Sequence, residues 1–156
     1  MQPIETPSLP DLAISVVLFH SPLEQFRELL DSLIAAAVRA NLAQLALVCV
    51  DNSQDQHYAM RCQALCDSYE GGILQITVVT SEQNKGYGSG HNAALRAVQS
   101  RFHLLLNPDV QLDLEALRIA IETLSTRSDI ALLAPIGLNA ERRNEYLAHD
   151  YPSVLV

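Results

Sequence analysis

The sequence predicts an α/β fold: a mainly parallel sheet with helices on both faces. Three observations predict it. Short, β-rich apolar runs alternate with stretches whose apolar residues recur at helical spacing, the pattern of right-handed βαβ units. The run over 102–106 is close to continuous in apolar residues, as are strands covered on both faces. Several of the runs stop abruptly in polar residues, where open α/β sheets bind their ligands.

Residues 1–10 hold three prolines and read as a loose lead-in. Residues 12–19 are the first strand. A helix is expected over 23–38, where Phe26, Leu29, Leu30, Leu33, Ile34 and Ala37 form one stripe. Ser21 or His20 precedes its start and Pro22 lies in its first turn. Residues 45–50 are the second strand. A helix over 57–69 is expected to stop at Gly71-Gly72. The third strand covers 73–80, a helix 89–99, the fourth strand 102–106, and a helix with an Ile/Leu stripe 114–124. A short fifth strand is expected over 130–134, before Pro135. The domain thus runs over 11–135. Residues 136–156 are a polar, weakly periodic tail ending in Tyr151-Pro152-Ser153-Val154-Leu155-Val156, which reads as the start of further structure. The sheet is therefore expected to be incomplete at the C-terminus.

The 156 residues suit one domain. A net charge of −8 argues against nucleic acid as a partner. It leaves room for a phosphorylated ligand, because a metal ion can supply local positive charge. No segment has the roughly 18 uninterrupted apolar residues of a membrane span, and the start lacks the pattern of a signal peptide. Cys49 lies in an apolar run and reads as a small buried hydrophobe. Cys62 and Cys66 share a helix face, but nothing completes a zinc site around them. An odd number of cysteines without a secretion signal suggests a reducing compartment.

Three strand ends carry polar groups: Phe19-His20-Ser21, Val50-Asp51-Asn52-Ser53 and Asn107-Pro108-Asp109. They should share one edge of the sheet. Asp109 carries oxygens that suit a hard cation such as Mg²⁺ or Mn²⁺. Asn-Pro-Asp reads equally well as a turn, and Asp51 taken singly reads first as a cap or turn former. The loop over 81–92 follows the third strand and opens a helix, with glycines at 86, 88 and 90. Such a loop lets backbone N–H groups approach a phosphate, and Lys85 adds a point charge. It matches neither the dinucleotide fingerprint nor the P-loop, and a simple flexible turn remains the other reading. The histidines are scattered, with His20 and His91 nearest the expected cleft. None pairs with a nucleophile motif, so covalent catalysis has no support.

Four motifs then stand in order: Ile14-Ser15-Val16-Val17-Leu18-Phe19-His20, Val48-Cys49-Val50-Asp51-Asn52-Ser53, Asn84-Lys85-Gly86-Tyr87-Gly88-Ser89-Gly90-His91-Asn92 and Leu104-Leu105-Leu106-Asn107-Pro108-Asp109. Together they resemble the family 2 glycosyltransferases, most nearly the rhamnosyltransferase-like branch. The resemblance spans residues 12–135 and implies a GT-A fold, a Rossmann-like architecture. It implies a nucleotide-diphospho-sugar donor, such as dTDP-rhamnose or a UDP-sugar, and a divalent metal, Mg²⁺ or Mn²⁺. By this resemblance Phe19 and His20 line the nucleotide pocket and Asp51 hydrogen-bonds the base. Asn84, Lys85 and Gly86 border the nucleotide or diphosphate. Asn107-Pro108-Asp109 stands at the family's Asp-x-Asp motif, with Asp109 as the metal ligand and Asn107 as a weaker or water-mediated contact.

The resemblance further implies inverting transfer to a glycan or lipid-linked acceptor in surface polysaccharide synthesis. The catalytic base is expected beyond Val156, and none of Glu141, Glu145 and Asp150 is assigned to that role. The chain alone reads as the donor-binding half, which leaves a non-catalytic nucleotide-sugar-binding module or partner subunit as the alternative. A flavodoxin-like or dinucleotide-binding domain is disfavoured by Phe-His-Ser-Pro after the first strand. The implied location is cytoplasmic, or peripheral at the inner membrane face through the region beyond Val156. Apolar surface left by an incomplete sheet leads to an expectation of a homodimer through the segment after Pro135.

Overall fold

The computed structural model describes residues 10–139 and residue 143. Eight elements alternate: β1 (Leu12–Leu18), α1 (Leu23–Arg39), β2 (Leu45–Asp51), α2 (Gln56–Asp67), β3 (Leu74–Thr80), α3 (Tyr87–Ala97), β4 (Phe102–Leu106) and α4 (Ala116–Thr126). The four strands form one sheet in the order β3-β2-β1-β4, and every pairing is parallel. Leu12 stands opposite Leu45 on one side and Phe102 on the other. The chain adds strands in one direction from β1 to β3, then crosses back to place β4 beside β1. With right-handed crossovers, that reversal puts α3 on the opposite face from α1 and α2, and makes the β1/β4 junction the switch point at which α/β sheets bind ligands.

The core follows from the sequence pattern. All seven residues of the central strand β1 are buried. Phe26, Leu29, Leu30 and Leu33 carry the buried stripe of α1 and are fully enclosed. On the other face, Val17, Val48 and Val50 pack with Ala94 of α3. Gly90 lets α3 lie close on β1: a Cβ there would sit 2.7 Å from a Val17 methyl carbon. The three cysteines are buried free thiols. Cys49 and Cys66 bring their sulfurs to 3.9 Å between β2 and α2. Their mutual contact and burial push the Cys49 thiol well up, and burial raises Cys62 to about 11.

Several expected boundaries move. Pro22 takes the cap position of α1, and its carbonyl accepts the Phe26 N–H. α2 ends at Asp67 with Ser68 as its cap, not at Tyr69. Gly71 and Gly72, with φ of 122° and 59°, instead form the tight turn that bridges Gly71 to Leu74 at the start of β3. The fifth strand over 130–134 does not form: the segment is irregular and Leu132 is 86% exposed. A strand is defined by its partners, and a short apolar run without a ladder gains nothing by extending.

The chain divides into two compact units, Met1–Arg118 and Ile119–Val156. The first contains the sheet, α1 to α3 and the start of α4. The described part of the second contains the remainder of α4 and irregular chain. Residues 1–9 of the expected lead-in, and 140–142 and 144–156 of the expected tail, lie outside the described residues. No helix among the described residues is long and apolar enough to cross a membrane.

Candidate functional site

The carboxyl ends of β1, β2 and β4 and the loop before α3 enclose a cleft of about 270 Å³ at the switch point. From β1 and the turn after it come Val17, Phe19 and Ser21; from the β2 end comes Asn52; from the glycine loop and the start of α3 come Asn84, Gly86 and Tyr87; from the turn after β4 comes Pro108. Phe19 leaves the strand and stands 57% exposed. His20 follows with φ of 52°, a left-handed conformation costly for a residue with a side chain. Its ring packs on Phe19 and Tyr58, at 5.2 and 5.4 Å. The Tyr58 hydroxyl donates to the Ser21 carbonyl at 3.0 Å, so α2 braces this turn from behind.

At the end of β2, Asp51 is fully buried. Its Oδ1 accepts the Ser53 N–H at 2.8 Å, while Oδ2 is buried with no hydrogen-bond partner among the described residues. Asp51 thus stands behind the cleft wall, and Asn52 occupies the wall itself. Asn52 Oδ1 accepts the Ser81 hydroxyl at 2.7 Å, and its Nδ2 donates to the Gly86 carbonyl at 3.3 Å. One side chain therefore ties the β2 end to both ends of the glycine loop. Sequence reasoning quoted Asn52 without giving it a role. An amide directly after an apolar strand, ahead of a loop with many free backbone groups, was the available signal.

In the loop, Asn84 Oδ1 accepts the Gly86 N–H at 2.9 Å, and Gly86 adopts φ of 88° as it enters α3. That positive φ is the reason for glycine at this position. Lys85 is exposed and outside the cleft wall. Tyr87, the first residue of α3, donates its hydroxyl to Asn107 Oδ1 at 2.5 Å. Partial burial, then the nearby Asp109 charge, push the Tyr87 phenol up, so it remains a donor. Its ring meets His91 edge-on at 4.4 Å. His91 is 2% exposed, with Nδ1 2.7 Å from Ser15 Oγ on β1, and that hydroxyl also lies 3.1 Å from His103 Nε2 on β4. Burial lowers the pKa of both imidazoles, and His103 adds to the effect at His91. Neither Tyr87 nor this buried trio was given a role from sequence.

Asn107-Pro108-Asp109 is a turn in the structure, so turn geometry and a ligand role coexist. Asn107 and Asp109 are exposed. Among the described residues no group of three His, Cys, Asp or Glu could hold a metal ion by itself. What remains is one carboxylate, Asp109, beside a cleft. That donor set fits Mg²⁺ or Mn²⁺, which bind through one or two carboxylates together with substrate phosphates. Of the residues expected from sequence, Phe19, Asn84 and Gly86 line the cleft and Asn107 is tied to its wall through Tyr87. His20, Asp51 and Lys85 adjoin it from outside.

The sequence matches the model of glycosyl transferase family 2 over residues 16–154. Among curated proteins no relative matches. Solved structures of similar fold include S. aureus TarS 1–349, 24% identical with a TM-score of 0.58, covering 74% of this chain and 32% of that one. A second is a mannosyltransferase, PcManGT from Pyrobaculum calidifontis, in complex with GDP-Man and Mn²⁺; it is 17% identical with a TM-score of 0.60, covering 76% of this chain and 33% of that one. The chain spans about a third of the length of these structures. At such identities the likeness speaks for the fold, a GT-A sheet with its helices.

Proposed function

Because the chain belongs to glycosyl transferase family 2, we propose that its cleft binds a nucleotide-diphospho-sugar with a divalent metal, for transfer of the sugar to a glycan or lipid-linked acceptor. One observation carries the reading: an exposed aromatic and a helix N-terminus line one cleft at the switch point, beside a turn that carries the exposed carboxylate of Asp109. Phe19 offers a flat apolar face on which a base stacks. Asp51, whose Oδ2 has no partner among the described residues, stands behind this wall, so it would meet a base N–H only if the wall at Asn52 moved aside on binding. The N-terminus of α3, with Gly86 and Lys85, favours the negative diphosphate. Asp109 would hold Mg²⁺ or Mn²⁺ together with diphosphate oxygens, as the Mn²⁺ in the PcManGT complex encourages. When bound, the metal neutralises charge on the leaving diphosphate.

The family resemblance implies direct, inverting displacement, with a carboxylate base taking the acceptor's proton. Neither Asp51, behind the wall, nor Asp109, assigned to the metal, is suited to that task, and no residue of this chain is assigned to it. The domain over 11–135 is accordingly the donor-binding part, and surface polysaccharide synthesis is the expected setting.

Calorimetry with dTDP-, UDP- and GDP-sugars, each with and without Mn²⁺, tests the reading. Metal-dependent binding is expected, weakened at least about tenfold in Asp109→Ala, since even outer partners of metal ligands matter by that factor. Indifference to every nucleotide sugar refutes it. Donor hydrolysis or transfer then separates an enzyme from a binding module.

A further inference from the structure

We propose that Tyr87 is a positioning residue: a strut that fixes Asn107, and with it the turn bearing Asp109, at a set distance from the glycine loop. The proposal rests on the donor-site reading and goes beyond it. The loop that would border the diphosphate and the turn that would hold the metal come from different elements. A diphosphate carrying a metal must span both, so their spacing decides whether it fits. The Tyr87 hydroxyl bridges them, donating from the first residue of α3 to Asn107 Oδ1 after β4 at 2.5 Å.

The strut has a rigid footing. The Tyr87 ring sits edge-on against His91 at 4.4 Å. His91 is 2% exposed and Ser15 is fully buried, and the two meet at 2.7 Å. Ser15 Oγ in turn lies 3.1 Å from His103 Nε2. His103 belongs to β4, the strand that leads directly into Asn107. The contacts therefore form a closed circuit, from β4 through β1 and α3 and back to the end of β4. An aromatic serving only as cleft wall would need the ring and not the hydroxyl.

The strut also sets the chemistry of Asn107. With Oδ1 engaged by Tyr87, the amide offers its Nδ2–H₂ group. That group can donate to a ligand oxygen, and Asp109 is the one carboxylate of the motif. This accounts for an amide where the family's motif commonly has an acid.

The test is Tyr87→Phe, alone and in an Asn107→Ala background, in the full 156-residue chain. Calorimetry with UDP, dTDP and GDP is run with and without Mn²⁺, alongside thermal unfolding. In Tyr87→Phe, Mn²⁺-dependent affinity should fall about fivefold, the value of one ordinary hydrogen bond. Metal-free affinity should fall by clearly less than this, and the melting temperature by at most about 2–4 °C, the loss of one hydrogen bond. In the Asn107→Ala background, Tyr87→Phe should have no further effect. Equal affinity of Tyr87→Phe and the parent overturns the strut. So does an equal loss without metal, or the same fivefold loss in Asn107→Ala. Failure of the parent chain to bind any of the three nucleotides overturns the donor-site reading itself, and the strut with it.

Discussion

Gly90→Ala measures how tightly α3 is seated on the sheet. The added Cβ would lie 2.7 Å from Val17 Cγ2 and 3.1 Å from Cγ1, distances at which something must move. Val17 cannot easily move. It is β-branched, so turning χ1 exchanges one methyl for another. It is 6% exposed on the central strand, packed with Val48, Val50 and Ala94. Overpacking of this kind costs ~1–3 kcal/mol. Alanine returns up to ~1 kcal/mol of helix propensity, so the net destabilisation is ~0–2 kcal/mol.

Gly88→Ala supplies the control. It lies in the same helix, and a Cβ there meets nothing within 4 Å, so only the propensity gain remains. The difference between the two variants isolates the Val17 contact at ~1–3 kcal/mol. Urea unfolding followed by far-UV circular dichroism measures both, and in a chain of this size each kcal/mol moves the melting point by about 2–4 °C. If Gly90→Ala proves as stable as Gly88→Ala, the close approach of α3 to β1 is wrong.

Two further expectations concern buried polar groups. Burial holds His91 and His103 below the ordinary value of 6.5, so the unfolded chain takes up protons first as the pH falls. Their contribution is intact above pH 6.5 and is lost as the pH drops from there towards the folded-state values, by at most ~1.4 kcal/mol per pH unit for each histidine. Urea midpoints between neutral and mildly acid pH should show the decline, and His103→Gln should flatten part of it; a flat parent profile counts against the buried pair. The thiols of Cys49, Cys62 and Cys66 are at most 1% exposed; contact with Cys66, then burial, raises Cys49, and burial raises Cys62. A thiol reagent should label the native chain slowly and all three cysteines on denaturation; rapid native labelling would contradict the packing of α2 on β2.

β1 and β2 were legible because burial on both faces leaves a nearly unbroken apolar signature, and α1 because its stripe repeats cleanly. Residues 130–134 carry the same local signature and still form no strand, since pairing is not a local property. Gly71 and Gly72 were legible as punctuation but not as to which element they punctuate. The contacts that organise the site were hidden for a related reason. Ser15 is 76 residues from His91 and 88 from His103. Their meeting depends on the register of β4 against β1 and on how far along the sheet α3 sits, which no window of sequence contains.

Asp51 marks the limit of reasoning from strand ends. The rule that ligands gather beyond the carboxyl ends points to the edge where Phe19, Asn84 and Gly86 line one cleft. A strand end, however, has two faces. Val48 and Val50 pack with Ala94 under α3, so alternation turns Cys49 and Asp51 the other way, and Cys49 indeed meets Cys66 of α2. Asp51 is still inside the strand, and its side chain obeys that parity. Asn52 is the first residue beyond β2, free of the pleat, and its side chain crosses to Ser81 and Gly86. The residue that enters the wall is thus chosen by where the ladder stops. Asp51 closes the ladder opposite Leu18 and Thr80; had the ladder ended one residue earlier, at Val50, Asp51 would have been the residue released from the pleat.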